Sequence, residues 1–545
     1  MKKRILALLL TGCLAVSLLA GCSNKGTEPS DTPSGDDTTA KKISVGITTA
    51  EASMDPIKSA DGFYVMLLGN VIGGLYNVDA NNQLQLDLAE SVQESEDGLT
   101  YTFTLRDATW SNGTPLTAND FVFAWRRLAD PTSGTQYAYL VEECHIKNGA
   151  AVAAGEKSPE ELGVTAIDEK TLQVELETAT PYFASMTAFS PFCPLNEEYV
   201  TEQGDQFALT KDNMIYCGAY TLTDWDVSGN TITMTKNPNY WDAENVQVEE
   251  VNFQVVPDAQ QGVMSYENGD LDRITLTGDL VGQYATSDEF SSDLGVFNWF
   301  LYFNNDTVPN EKMRQAIAYA INREDLVQNV LKDGSVAQHN QLMTGLYTNA
   351  TTGEDFNTAC GPHYETNKDK AKELWAEAQT ETDMRTITLT YEEENASIAN
   401  TAAYIQSEIE TTLDGLTVEL QSLPKKSRIQ NMQDGNYQVA LHRWGPDYND
   451  ASCIMSLYST TNPYNYANWS NEKYDELMEQ CTTTLATDPE ARWNAYIEAE
   501  SILADSAICV PIFQVGNAVL TRTGISGITT HLTGVSCYYK YVTVG

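Results

Sequence analysis

Short runs of alternating apolar and polar residues are the plainest signal in the chain. Thr100-Tyr-Thr-Phe-Thr-Leu105 places Tyr101, Phe103 and Leu105 on one side, the two-residue period of a half-buried strand. Thr171–Glu177 does the same with Leu172, Val174 and Leu176, and Thr231–Thr235 repeats the pattern. Helical spacing is interleaved with these strands. After Asn310, one stripe joins Met313, Ala316, Ile317, Ala320 and Ile321 and continues through Val327, Val330 and Leu331 to a stop at Gly334. Asp488-Pro489 predicts an N-cap and a first-turn proline, with Trp493, Tyr496, Ile497 and Leu503 on the buried face behind it. Trp110-Ser-Asn-Gly-Thr-Pro115 predicts a tight turn, and Thr117-Ala-Asn-Asp120 a capping box opening a helix that buries Phe121, Trp125 and Leu128. From residue 41 onward there is no low-complexity stretch or internal repeat. The class is therefore α/β or α+β, in several lobes.

The first forty residues follow a different logic. Lys2-Lys3-Arg4 precedes an apolar run from Ile5 to Leu19, too short for a comfortable membrane span. Leu19-Ala20-Gly21-Cys22 resembles the bacterial lipobox, which implies diacylglycerol on the Cys22 thiol and cleavage before it. An ordinary secretory signal is the alternative. Residues 23–40 hold no large apolar side chain and predict a flexible tether. No later stretch of 18 apolar residues occurs, so lipid on Cys22 is the expected membrane attachment.

Charge narrows the partners. The 545 residues carry a formal net charge of −44, and it becomes more negative once Lys2, Lys3 and Arg4 leave. Such a surface repels phosphate backbones and anionic headgroups, so nucleic acid is not an expected partner. An apolar fraction of 42% supplies a large core and argues against disorder. Eight cysteines remain after Cys13 and Cys22. In an exported chain they permit four disulfides, or they are buried free thiols. None is spaced as CxxC, and the five histidines show no i, i+4 pair, so no metal site is suggested. There is no HExxH, GxSxG or Walker loop. Runs such as Glu392-Glu393-Glu394 predict solvated surface rather than a glycosidase pair. No cofactor and no enzymatic activity are expected.

A set of phrases carries a family resemblance. They are Ser53-Met-Asp-Pro56, Gly74-Leu-Tyr76, Tyr101 to Pro115, Thr117 to Pro131, Gly218-Ala-Tyr220, Lys236-Asn-Pro-Asn-Tyr-Trp-Asp242, Tyr266 to Asp272, Arg314-Gln-Ala316, Trp444-Gly-Pro-Asp-Tyr-Asn449 and Cys509-Val-Pro-Ile-Phe513. In order and spacing they resemble the family 5 extracellular solute-binding proteins of ABC importers, nearest the oligopeptide binders. The resemblance implies an α/β, two-lobed periplasmic-binding-protein-like fold (class II, cluster C type) with an extra inserted domain. Transferred here, residues 1–21 are the lipoprotein signal peptide and 22–40 the tether. Lobe I comprises 41–78, 185–264 and 512–545; the inserted domain is 79–184 and lobe III is 265–511. It also implies a monomer on the extracytoplasmic face of the cell membrane. The monomer takes an oligopeptide between its lobes and passes it to permease subunits.

The resemblance further implies site residues. Asp447, in Trp444-Gly-Pro-Asp-Tyr448, would pair with the ligand's α-ammonium, because an enclosed ammonium needs a carboxylate. A first-lobe strand at Asp61-Gly62-Phe63 would hydrogen-bond ligand backbone. Tyr137 would contact ligand or serve as packing. The disulfide beside the pocket of the best-known oligopeptide binder falls here on Phe297 and Gly445, so both halves are absent. Bases that receive the peptide carboxylate there fall on Leu441, Met432 and Ser397. Arg443, on the face of Leu441 if strand alternation holds, is the candidate replacement, ahead of Lys425 and Lys426; a structural salt bridge is its alternative. Trp299 and Trp444 would line side-chain pockets or belong to the core. The rival readings keep the fold with another cargo (a dipeptide, murein peptide, nickel complex or sugar) or, more remotely, make the chain an exported hydrolase.

Overall fold

The computed structural model describes residues 41–47, 53–59, 62–81, 83–135, 137–225, 231–393 and 395–545. The signal, the tether and Cys22 lie outside these residues.

The alternating segments fold as strands Thr100–Leu105, Thr171–Glu175 and Thr231–Lys236. Tyr101, Phe103, Leu172, Val174, Ile232 and Met234 are buried, since every second side chain of a strand points to the same face. The first two strands belong to a four-stranded antiparallel sheet, ordered 89–94, 100–105, 171–175, 164–166. Helix Ala118–Ala129 packs on it through Phe121, Trp125 and Leu128. The helix begins as predicted, with the Asp120 carboxylate accepting from the Thr117 N–H at 2.7 Å. Arg127 of this helix holds Asp55 in a two-pronged ion pair at 2.7 and 2.8 Å, fastening the small sheet to the 53–59 loop.

An eleven-stranded mixed sheet carries the rest. Its order is 417–423, 386–392, 439–444, 290–303, 509–521, 273–275, 42–47, 250–255, 231–236, 220–225, with 336–337 paired to 509–521 at the side. Phe290–Phe303 and Cys509–Thr521 are its longest strands, antiparallel neighbours. One half of the pair adjoins 439–444 and the other half adjoins 273–275, so both strands pass from one region of the sheet to the other. Their register slips between Leu294 and Asn298. The buried Gln514 side chain serves the broken ladder there. It donates to Gly295 O at 3.0 Å and accepts from Gln338 Nε2 at 2.8 Å and Thr344 N at 3.0 Å. Gly516 meets Gly334 so closely that a Cβ would stand 1.9 Å from the Gly334 carbonyl carbon, and no side chain fits.

Two expectations need correction and one open choice is decided. The stripe after Asn310 is not one helix. Helix Glu311–Ala320 ends, Asn322 caps a new turn by accepting from Asp325 N at 3.1 Å, and Leu326–Leu331 continues with wider π-type bonding. Lys332, at φ 49°, terminates it before Gly334 is reached. Glu392 is buried rather than solvated, because Arg428 pairs with it at 3.4 Å; Glu393 is exposed and Glu394 lies outside the described residues. The eight cysteines, open between two readings, are free thiols here, and all but Cys360 are buried.

Candidate functional site

Strand Val439–Trp444 ends at Gly445-Pro446, and the chain turns to present Asp447. The turn is anchored from both sides. Arg492, from helix Pro489–Ser506, donates twice to Asp450 at 2.5 and 2.6 Å, and both side chains are buried. Arg492 also donates to Cys481 O at 2.9 Å and the Tyr496 hydroxyl at 2.8 Å. The desolvation cost of a buried pair is recovered only when its remaining donors are satisfied in this way. On the other side, the Tyr448 ring stacks on Tyr182 with centroids 4.2 Å apart. Asp447 therefore projects from a fixed frame.

Asp447 is exposed, yet protein crowds its carboxylate closely enough to strip hydration. That loss pushes the carboxyl up to about 6, against the lowering influence of a hydrogen bond donated by Tyr139. Among the described residues, no Lys, Arg or His lies within ion-pair distance of Asp447. Tyr139 begins a short helix that ends at Glu143. Crowding, then the Asp447 charge, then Glu142 push the Glu143 carboxyl up to about 7. Tyr137 is half-buried. Its hydroxyl donates to Ser59 O at 3.2 Å, and its ring meets Phe189 edge-on at 5.5 Å. Burial and the Asp447 charge push its phenol up to about 12. Tyr137 thus feels the Asp447 charge while packing the 53–59 loop.

Other expected residues separate into wall and core. Trp444 is half-buried against the exposed Tyr464 at 5.3 Å. Trp299 is only 2% exposed and stacked on Phe513, so of its two readings the structure takes the core one. Arg443 pairs across the strands with Trp299, and its guanidinium lies 4.3 Å over the Phe297 ring. Among the described residues it has no carboxylate within ion-pair distance, which removes the structural salt bridge as its role. Alternation does hold from Val439, placing Arg443 on the face of Leu441. Leu441 and Met432 are core residues, and Ser397 is exposed in a helix's first turn. Phe297 and Gly445 are neighbours, as the missing disulfide implied: a Cβ on Gly445 would stand 2.8 Å from two Phe297 ring carbons.

Of the strand expected at 61–63, the described residues form helix instead. Gly62 and Phe63 form the first turn of helix Gly62–Val71, with Phe63 packed edge-on against Phe253 at 5.2 Å; Asp61 lies outside the described residues. A run of apolar residues at 63–68 favours the helix, which buries five of them. Tyr139, Glu143 and the Tyr182–Tyr448 stack were not anticipated. Nothing distinguishes Glu143 in sequence from the chain's other acids.

Beside Asp447 lies a cavity of about 50 Å³, bounded by Tyr448, Phe189, Leu346 and Val535. Among the described residues, no group of three His, Cys, Asp or Glu is arranged to hold a metal, and no helix is long and apolar enough to cross a membrane.

Comparison with known proteins matches this geometry to a family. The sequence model described as "Bacterial extracellular solute-binding proteins, family 5 Middle" matches residues 83–466. The dipeptide-binding protein of Lactococcus lactis subsp. cremoris is 31% identical over 552 residues, covering 98% of each chain. Among solved structures, Listeria monocytogenes OppA bound to peptide superposes with a TM-score of 0.74 at 32% identity, over 93% of this chain and 99% of that one. The substrate-binding domain of an oligopeptide ABC transporter from Bacillus anthracis str. Ames gives 0.74 at 33% identity, over 92% and 99%.

Proposed function

Since the chain belongs to the bacterial extracellular solute-binding proteins of family 5 and has their two-lobed α/β fold, we propose that it captures oligopeptides between its lobes and delivers them to the permease of an ABC importer. No chemical step is involved. Ligand stabilises the closed arrangement because it contacts both lobes at once. In this reading the long strands 290–303 and 509–521 link the two lobes. Lipid on Cys22 keeps the protein at the outer face of the cell membrane.

The observation that carries this reading is Asp447: an exposed carboxylate held in a rigid turn, with no cation beside it among the described residues. A ligand's α-ammonium is the missing partner. Arg443, lying on Phe297 without a carboxylate, receives the other terminus. The test is thermal shift with pooled tri- to hexapeptides, free and N-acetylated. Free peptides should raise Tm, acetylated ones should not, and Asp447→Ala should abolish the response. Equal stabilisation by acetylated peptides would remove Asp447 from the ammonium role.

A second reading, the same fold with a shorter or different solute, is favoured by one observation. Leu441 and Met432 are apolar core where the resemblance implies bases. Native mass spectrometry of ligand retained through purification separates the two by mass.

A further inference from the structure

We propose that a cavity beside Phe63 takes an apolar side chain of the ligand, leucine-sized or larger, from a residue after the first; this rests on peptide capture with the α-ammonium at Asp447. The cavity measures about 480 Å³ and is walled by Gly46, Ile47, Phe63, Val256, Gly262 and Ile274. It lies at the carboxyl ends of three strands. Lys42–Ile47 runs parallel to Glu250–Val255 on one side and to Arg273–Thr275 on the other. The crevice outside the carboxyl ends of parallel strands is where open α/β sheets take ligands. The helices that follow these strands pack on different cores. Helix Gly62–Val71 enters the main one, while helix Ala259–Asn268 enters a smaller one through Val263 and Tyr266. Strand alternation agrees: Ile43 and Val45 face the first core, and Gly46 faces Val256 and Ile274 of the second.

Gly262 keeps the cavity open. A Cβ there would meet nothing nearer than Val256 Cγ2 at 3.6 Å and Ile274 Cγ2 at 3.8 Å, so packing does not demand glycine. Alanine is favoured over glycine inside a helix, yet the helix carries glycine at the one wall position where a side chain would fill the space. The polar members of the wall sit at the mouth. Thr275 and Thr277 are exposed, and the Asp258 carboxylate is taken up as the helix cap, accepting from Gln261 N at 2.9 Å. No Lys, Arg or Glu lines the cavity among the described residues, so nothing there balances an ionic side chain. A cavity of about 150 Å³ already admits a benzene-sized group, which leaves room for leucine or phenylalanine. Ser59, four residues before Phe63, accepts from the Tyr137 hydroxyl at 3.2 Å, and Tyr137 feels the Asp447 charge. Four residues span at most about 14 Å, so one extended peptide of up to six residues, about 20 Å long, reaches from Asp447 to the cavity. Asp447 itself is not part of the wall, which leaves the cavity to a later side chain.

The test measures affinity by isothermal titration for penta-alanine and for four relatives with a single leucine at position 2, 3, 4 or 5. At one of these positions the full-length protein should bind the leucine peptide about tenfold tighter than penta-alanine. Asparagine at that position, nearly the same shape but polar, should gain nothing. In Gly262→Leu, which fills the cavity, the leucine-to-alanine ratio should fall to about one. Met264→Leu, exposed on the same helix, should keep it. The unliganded Tm of each variant reports its fold; should Gly262→Leu melt early, Gly262→Ala, adding one methyl, should lower the ratio to about threefold. No gain from leucine at any position overturns the proposal. So does an equal gain from asparagine, a ratio unchanged in a folded Gly262→Leu, or a ratio lost in Met264→Leu. Binding of none of the peptides, penta-alanine included, would overturn peptide capture itself, whereas binding without a leucine preference overturns this proposal alone.

Discussion

The Phe297 ring lies against the Cα of Gly445, leaving 2.8 Å for a Cβ at that position. The same ring seats the Arg443 guanidinium at 4.3 Å. An apolar cross-strand contact thus stands where the family's best-known oligopeptide binder has a disulfide, and it seats the Arg443 guanidinium, which has no carboxylate within ion-pair distance among the described residues. Gly445→Ala should cost about 1–3 kcal/mol, as overpacking does in a filled core. A urea midpoint equal to the parent's would show that the ring moves aside freely. The Val296 carbonyl oxygen also stands 2.8 Å from that Cβ, so Phe297→Ala combined with Gly445→Ala should recover only part of the loss.

Arg443 has a separate consequence. If it receives the ligand carboxylate, Arg443→Ala should weaken peptides with a free C-terminus by about tenfold, the scale of a lost charge-assisted bond. C-terminally amidated peptides should lose far less. Titration of both series measures the difference. An equal loss would reduce Arg443 to packing on Phe297.

The raised Asp447 carboxyl sets a pH dependence. An ammonium ligand needs the ionised form, so affinity should hold near pH 8 and fall by about tenfold per unit once pH drops below about 6. The folded value lies above the ordinary 3.8, so the contribution to folding is fully present below pH 3.8 and lost as pH rises through about 6. Asp447→Asn should therefore melt above the unliganded parent at pH 8, with the gap closing near pH 4, while losing peptide-induced stabilisation. A gap that is the same at both pH values would assign the effect to packing instead.

Local rules made much of this legible. The alternating strands, the Thr117–Asp120 box and the Asp488 cap stand as their spacing predicts, because each depends on neighbours within a few residues. Asp447 was reachable through its phrase. What stayed hidden depends on distant pairing. The broken register of the two long strands is set by Gln514 and by the approach of Gly516 to Gly334, residues far apart in sequence. The 61–63 segment read as a strand by analogy, although the apolar run behind it favours helix. Glu392 and Glu143 were indistinguishable as acids. One is buried on Arg428 and the other crowds Asp447, and only the fold separates them.

Glu500 yields a prediction independent of any ligand. It is fully buried on helix Pro489–Ser506; Gln341 N donates to its Oε1 at 2.9 Å, while Oε2 has no hydrogen-bond partner among the described residues. Without a nearby cation to offset it, burial pushes the carboxyl up to about 8, from an ordinary value of 4.5. The folded protein then keeps a proton that the unfolded chain releases above pH 4.5. Stability from this group is whole below that pH and declines by about 1.4 kcal/mol per unit until pH reaches about 8. Glu500→Gln keeps a neutral amide of nearly the same shape and removes the titration. Its urea stability should match the parent's near pH 4 and exceed it by about 4 kcal/mol at pH 8. Parallel pH profiles for parent and variant would mean that Glu500 is ionised in the folded protein, with a partner that opens to it in solution.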